Sequence, residues 1–239
     1  MTRAQRFAGV VIVAAGRGER FGDTGKVLAE AAGRPLLYWS IEAALAANVV
    51  SEIVVVAGPH SQRKIDDVLA RHFPGEPITV CIGGERRQDS VMAGNAHLSA
   101  PAEVAIIHDA ARPLATPAMF ETVANCARGS GAAIIGARVT DTIKQVDEGV
   151  IVRTLDRSAL WSAQTPQAFR FSLLKQAFAE AEVADQVFTD EAALLEWLGQ
   201  PVAMVEGGRT NLKVTVPEDL AMADFLLSKR SEGEPHVSP

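Results

Sequence analysis

The sequence predicts an α/β fold, a Rossmann-like, mostly parallel sheet with helices on both faces. Three observations carry that prediction. Short runs rich in Val and Ile alternate with segments whose apolar residues recur every three or four positions. The runs are nearly continuous in apolar character, as in strands covered on both faces. The first run breaks into a glycine-rich turn, which suits a ligand at the carboxyl end of a strand.

Taken in order, the expected strands are Val10–Ala15, Ile53–Ala57, Ile78–Ile82, Val104–His108 and Ala132–Val139. Leu36–Ala47, Gln62–Phe73, Ser90–Leu98 and Pro117–Arg128 are the expected helices between them. This alternation implies right-handed crossovers between parallel strands. From Thr140 to Arg157 the pattern breaks. Asp147-Glu148-Gly149 reads as a turn between two β-prone stretches, Thr142–Val146 and Val150–Leu155, so a hairpin arm is expected to stand off the sheet. A lone two-stranded arm is only marginally stable in water, so it is expected to pack on something, such as a second subunit. Helices Ser172–Glu182 and Asp190–Leu198, a strand Val202–Glu206 and a helix Pro217–Lys229 complete the expectation. We expect one domain over residues 1–230, with the arm at 140–157, and a disordered tail at 231–239.

Composition narrows the function. With 239 residues, 48% of them hydrophobic and 22% charged, the chain reads as a soluble globular protein. A net charge of −6 argues against nucleic acid as a partner. Cys81 and Cys126 form no Cys-x-x-Cys pair, which points to a reducing compartment, the cytoplasm, and excludes a zinc site built on thiolates. The five histidines have no metal-ligand spacing. Arg3 and Arg6 before the run Ala8–Ala15 resemble a signal peptide, but the run passes straight into Arg17, Glu19 and Arg20, as a buried first strand would. No segment approaches the length of a membrane span.

The stretch Val10–Lys26 is the most informative. Glycines at 16, 18, 22 and 25 allow close backbone approach, and Arg17, Arg20 and Lys26 add positive charge in an acidic chain. Exposed amides and cations together suit several phosphate oxygens, and so a nucleoside triphosphate. A dinucleotide fingerprint fails at Phe21, and a Walker loop fails at Arg20 and Val27. The plainer alternative is an ordinary strand-to-helix turn with surface cations.

Five motifs in one order carry a family resemblance. They are Ala14-Ala-Gly-x-Gly-x-Arg20 with Lys26; Gly83-Gly-Glu-Arg-Arg-Gln-Asp-Ser90-Val; His108-Asp-Ala-Ala-Arg112-Pro; Asp156-Arg157-x-x-Leu-Trp161 leading to Gln164-Thr165-Pro-Gln; and Asn211-x-Lys213-Val-Thr. From Val10 to Leu227 the chain resembles the sugar-phosphate nucleotidyltransferases and, within them, the 2-C-methyl-D-erythritol 4-phosphate cytidylyltransferases of the non-mevalonate isoprenoid pathway. It departs from them at Val13, where the family usually has proline, and at Gly25-Lys26-Val27, where it has Pro-Lys-Gln. Both changes bear on the rigidity of the loop. Some relatives carry a fused cyclase domain, for which this chain ends too early.

The resemblance implies attack by a phosphate monoester on the α-phosphorus of CTP, with release of pyrophosphate. Such a monoester, with its second pKa near ~6, is already largely dianionic at neutral pH and needs no general base. Arg20, Lys26 and Lys213 are then expected to stabilise the reacting phosphate. The Gly16 and Arg17 amides would hold the β- and γ-phosphates. Asp109, next to Ala110, would sit beside Mg2+ or another divalent cation bridging the phosphates; read without the resemblance, it caps a strand-end turn. Ala14, Ala15, Gly84 and Ser90 would read cytosine, and Glu85 would lie near the ribose. Ser90 is alternatively a helix N-cap. Arg112, Thr142, Arg157 and Thr165 would hold the sugar phosphate, Thr142 and Arg157 in the neighbour's site of a homodimer joined through the arm. Arg157 is alternatively a solvated surface residue. Thr189-Asp190-Glu191 reads as a helix N-cap with favourable early acids. Two rival functions stand beside this one: a cytidylyltransferase for another polyol phosphate such as ribitol 5-phosphate, and a nucleotide-binding regulator without turnover.

Overall fold

The structure, a computed structural model, describes residues 6–16, 25–99 and 102–231. Strand β1 (Ala8–Ala14) is followed by a 3-10 turn (Lys26–Leu28), a two-stranded ribbon of β2 (Glu30–Ala31) and β3 (Arg34–Pro35), and helix α1 (Leu36–Leu45). Next come β4 (Val50–Ala57), α2 (Gln62–His72), β5 (Ile78–Ile82), α3 (Arg87–Ala96), β6 (Val104–Asp109), α4 (Pro117–Ser130) and β7 (Ala132–Arg138). The second half contains β8 (Lys144–Asp147), β9 (Val150–Thr154), β10 (Trp161–Arg170), α5 (Phe171–Val183), α6 (Glu191–Trp197), β11 (Ala203–Glu206) and α7 (Pro217–Ser231).

Among the described residues seven strands form one sheet, in the order β11-β7-β10-β6-β1-β4-β5. Neighbours pair in parallel except β10, which runs antiparallel to both β6 and β7. From β1 the chain winds outward through β4 and β5, then returns to β6 on the other side of β1. The winding therefore reverses between β1 and β6, and a ligand crevice belongs beyond their carboxyl ends.

The unbroken apolar runs are explained by cover on both faces. On one face Val10, Ile12, Val55 and Ile106 pack with Leu37 and Ile41 of α1, Ile65 of α2 and Phe120 of α4. On the other, Val11, Val54, Val56, Ile107 and Phe169 meet Val91 of α3, Leu174 and Phe178 of α5, and Leu194 and Leu195 of α6. Helix α7 closes a third cluster through Ala223 and Leu227 on Ala31, Leu36, Leu114 and Val214.

The sheet class and the hairpin agree with the sequence reading. Glu148 and Gly149 both have positive φ (46° and 81°), which matches a two-residue hairpin turn to the twist of its strands. Strand β10 was not expected. It carries Gln164, Thr165, Pro166 and Gln167, and a proline cannot donate to a ladder. The register with β7 skips between Ala163 and Gln167, so Pro166 sits in that break. The expectation that Ser90 caps a helix is also corrected. Helix α3 starts at Arg87, with Arg86 as N-cap in a capping box with Asp89, which leaves Ser90 inside the first turn. The expected tail lies outside the described residues beyond position 231.

Candidate active site

Beyond the ends of β1 and β6 lies a cleft of ≈ 190 Å³ assembled from distant parts of the chain: Val13, Ala15 and Gly16 after β1, Lys26 and Val27, Gly84, Glu85, Arg86, Arg87 and Ser90 at α3, Asp109 and Ala111 after β6, and Lys213 before α7. A wider cavity of ≈ 680 Å³ adjoins it and shares Ala15, Gly16, Val27, Gly84 and Glu85. Cavities of a few hundred cubic ångströms and upward suit a small-molecule ligand.

Two glycine positions show why the cleft has this shape. A Cβ on Gly83 would stand 2.5 Å from Ser90 Oγ and 2.9 Å from the Ala15 methyl, so only glycine lets α3 close onto the β1 turn. Gly25, which opens the 3-10 turn, has φ +73°. Proline is locked near −65°, so this backbone excludes the proline that the family resemblance expects there.

Asp109 lies on the cleft floor between two cations. Lys213 Nζ is 2.7 Å from its Oδ2, and the Arg87 guanidinium reaches its Oδ1 at 3.4 Å. Burial alone would push this carboxyl up, but Lys213 and Arg87 outweigh it and hold the pKa at about 2. The other end of Arg87 meets Glu191, at 2.8 Å and 3.0 Å from its two oxygens. Glu191 is buried, and burial pushes its carboxyl up to about 7 against the pull of Arg87.

Behind the floor, β10 and the segment before α7 hold Asp109 and Lys213 together. Buried Asn211 donates from Nδ2 to Gln164 Oε1 at 3.1 Å and to the Thr165 carbonyl at 2.9 Å. The Val214 amide donates to the Ala111 carbonyl at 2.8 Å. Lys213, between these two anchors, is thus directed at the end of β6. The Asp109 amide donates to Thr165 Oγ1 at 3.0 Å, and that hydroxyl stands 3.0 Å from His108 Nδ1. His108 is buried, and burial pushes its pKa down to about 4, so it is held neutral.

The expected site residues fall into three groups. Ala15, Gly16, Lys26, Gly84, Glu85, Ser90, Asp109 and Lys213 line the cleft, Ala14 lines the adjoining cavity, and Ala110 is buried beneath with its amide on the Val13 carbonyl. Arg112 and Thr165 sit behind the floor, with Arg112 donating to the carbonyls of Asn211 and Ala163. Thr142 and Arg157 lie at the base of the arm, exposed and outside the cleft lining; Arg157 donates to the Thr140 carbonyl. Arg17 and Arg20 lie outside the described residues. The structure adds Arg87, which had been assigned no role, and Glu191, which had been read only as an early acid of a helix N-cap. Asp190 is a helix N-cap, accepting from the Ala193 amide at 2.9 Å, but Glu191 points inward to Arg87. Among the described residues no cluster of three His, Cys, Asp or Glu could by itself hold a metal. The site's chemistry is that of cations and backbone amides set around the buried, ionised Asp109 carboxylate, which suits a polyphosphate.

Comparison with known proteins shows the family and the fold. The family model described as 2-C-methyl-D-erythritol 4-phosphate cytidylyltransferase matches residues 8–229. The protein of that name from Parasynechococcus marenigrum is 45% identical over 226 residues, which cover 93% of this chain and 99% of the relative. The fold is similar to the crystal structure of 4-diphosphocytidyl-2C-methyl-D-erythritol synthase from Anaerococcus prevotii, with a TM-score of 0.83 and 27% identity over 93% of this chain and 96% of that one. It is also similar to that of 2-C-methyl-D-erythritol 4-phosphate cytidylyltransferase from Thermus thermophilus, with a TM-score of 0.78 and 31% identity over 92% and 98%.

Proposed function

The chain belongs to the 2-C-methyl-D-erythritol 4-phosphate cytidylyltransferase family and is a nucleotidyltransferase, and from that premise we propose how its cleft performs the transfer. The reaction moves CMP from CTP to 2-C-methyl-D-erythritol 4-phosphate, giving 4-diphosphocytidyl-2-C-methyl-D-erythritol and pyrophosphate. One observation carries the reading: Lys26 and Lys213, from opposite ends of the chain, line the same cleft as the ionised Asp109.

A phosphate oxygen of the acceptor forms a bond to the α-phosphorus as the bond to the β-phosphate oxygen breaks, and pyrophosphate leaves. The acceptor is already ionised, so the protein contributes positioning and charge stabilisation rather than a base. Lys26 and Lys213 act on the negative charge gathering at the α-phosphate, together with Arg20. The Gly16 and Arg17 amides hold the outer phosphates. Ala14, Ala15, Gly84 and Ser90 face the base, and Glu85 lies near the ribose.

Asp109 fits Mg2+: a hard cation takes one or two carboxylates and completes its shell with phosphate oxygens and water, and Asp109 is a single ionised carboxylate on the floor of a phosphate-sized cleft. Mg2+ bound there would neutralise phosphate charge and orient the triphosphate.

The arm supports a homodimer. All residues of β8 and β9 are exposed, and Val146, Val150, Ile151 and Val152 keep 54–69% of their surface in solvent. A partner copy would cover them, and Thr142 and Arg157 at the arm's base would then complete the partner's sugar-phosphate site beside Arg112 and Thr165. Cys81 and Cys126 are unpaired, which suits the cytoplasm. Among the described residues no helix is long and apolar enough to cross a membrane.

The test is pyrophosphate release from CTP and Mg2+ with each acceptor in turn. Release with 2-C-methyl-D-erythritol 4-phosphate and not with ribitol 5-phosphate is expected. Faster release with ribitol 5-phosphate would reassign the acceptor, and CTP binding without turnover on any acceptor would make the protein a regulator.

A further inference from the structure

Arg87 is the first residue of α3 and Glu191 the first of α6, and their pairing brings these two helix starts together at the end of β6. The guanidinium divides its contacts unevenly. Its 2.8 Å contact to Glu191 has the length of a strong charge-assisted hydrogen bond, whereas its 3.4 Å contact to Asp109 Oδ1 is long and weak. Lys213 meanwhile takes the other Asp109 oxygen at 2.7 Å. Lys213, Asp109, Arg87 and Glu191 thus form a line of alternating charge.

Glu191 does not line the cleft, and its side chain is only 3% exposed. Its hydrogen bonds toward the cleft run to Arg87. A buried ion pair is weak evidence of a stabilising role, so its purpose is better read from what the far end of Arg87 faces, which is Asp109. Without the Glu191 charge, Arg87 would have Asp109 as its nearest carboxylate, and an arginine fork binds a carboxylate through two parallel hydrogen bonds. Asp109 would then be clamped from both sides.

We infer that Glu191 is a positioning residue that holds the Arg87 guanidinium off Asp109 and so keeps the Oδ1 oxygen available to a divalent cation. The inference rests on the reading of Asp109 as a cation ligand.

CTP affinity, measured by calorimetry on the full chain with Mg2+ and again with EDTA at mildly alkaline pH, tests it. The quantity of interest is the gain in affinity that Mg2+ brings. Glu191→Gln keeps the shape and an acceptor for Arg87 and is expected to lose about tenfold of that gain, the usual effect of removing a group that orients a metal ligand. Its metal-free affinity should be unchanged or higher. Equal losses with and without Mg2+ would show a merely structural role and overturn the inference, as would an unchanged gain. The double variant Arg87→Met with Glu191→Gln leaves nothing to clamp Asp109 from that side and should recover the gain to within about threefold. Failure to recover also overturns it. Asp109→Asn separates the two readings. If it keeps the full gain, the cation is not held by Asp109 and both fail; if it loses the gain while Glu191→Gln keeps it, only the Glu191 inference fails.

Discussion

Lys213 Nζ lies 2.7 Å from Asp109 Oδ2, so the segment before α7 is fastened by an ion pair to the end of a central strand. The pair places a cation where a triphosphate would meet β1 and β6. Lys213→Ala, and separately Lys26→Ala, should lower kcat by a hundredfold or more, on the order of 2.7 kcal/mol of transition-state stabilisation. Steady-state kinetics checks this, and a near-normal kcat in either variant removes that lysine from the mechanism.

Asn211 sets the reach of Lys213. It is fully buried, and its side-chain amide donates to Gln164 and Thr165 of β10. Asn211→Ala should destabilise the protein by about 1–3 kcal/mol and also reduce kcat about tenfold, because Lys213 loses its anchor. Thermal melts and kinetics on one preparation test both parts. A destabilised variant with full kcat would show that Lys213 is positioned by other contacts.

Asp109 and Glu191 give stability opposite pH dependences. The Asp109 value of about 2 lies below its ordinary 3.8, so its contribution is complete above pH 3.8 and disappears as the pH falls towards 2. That contribution is about 2 kcal/mol. Glu191 lies above its ordinary 4.5, at about 7, so it weakens the fold as the pH climbs through that interval. Denaturant titrations across pH should therefore show a flatter acid limb in Asp109→Asn. The decline between pH 4.5 and 7 should be reduced in Glu191→Gln. Curves parallel to the parent would contradict both assignments.

Gly83→Ala places a methyl group against Ser90 and Ala15, which line the cleft and are proposed to read the nucleotide base. Moving α3 away from the β1 turn should raise the KM for CTP about tenfold, while the KM for the acceptor changes little. Equal increases in both would mean that the whole site is disturbed.

Arg157 should act mainly on the acceptor, and equal losses for both ligands would count against that role. Arg157→Ala is expected to weaken sugar-phosphate binding more than CTP binding. Replacing Val150 and Ile151 on the exposed arm with lysine should shift the protein towards monomer in sedimentation. A dimer that survives those lysines would move the interface elsewhere.

Much of the architecture was legible because it is written locally. The strand Ile78–Ile82 has the bounds that its apolar run predicts, and the hairpin turn falls at Glu148-Gly149 as the turn residues suggest. Strand β10 was hidden because its central residues are polar or proline, and much of their burial is compensated by partners far away in sequence, such as Asn211 and Asp109. Arg87 lay inside a recognised motif and Glu191 beside an evident helix cap. Neither showed its role, because 104 positions separate them along the chain.

The sequence by itself determined the class of sheet and the exposed hairpin arm, since apolar continuity and turn chemistry act over a few residues. Tertiary structure alone decided that β10 enters between β6 and β7, and that Lys213, Arg87 and Glu191 meet around Asp109. Those contacts depend on how both faces of the sheet pack at once, and a charge acquires its partner only when the whole chain has closed around it.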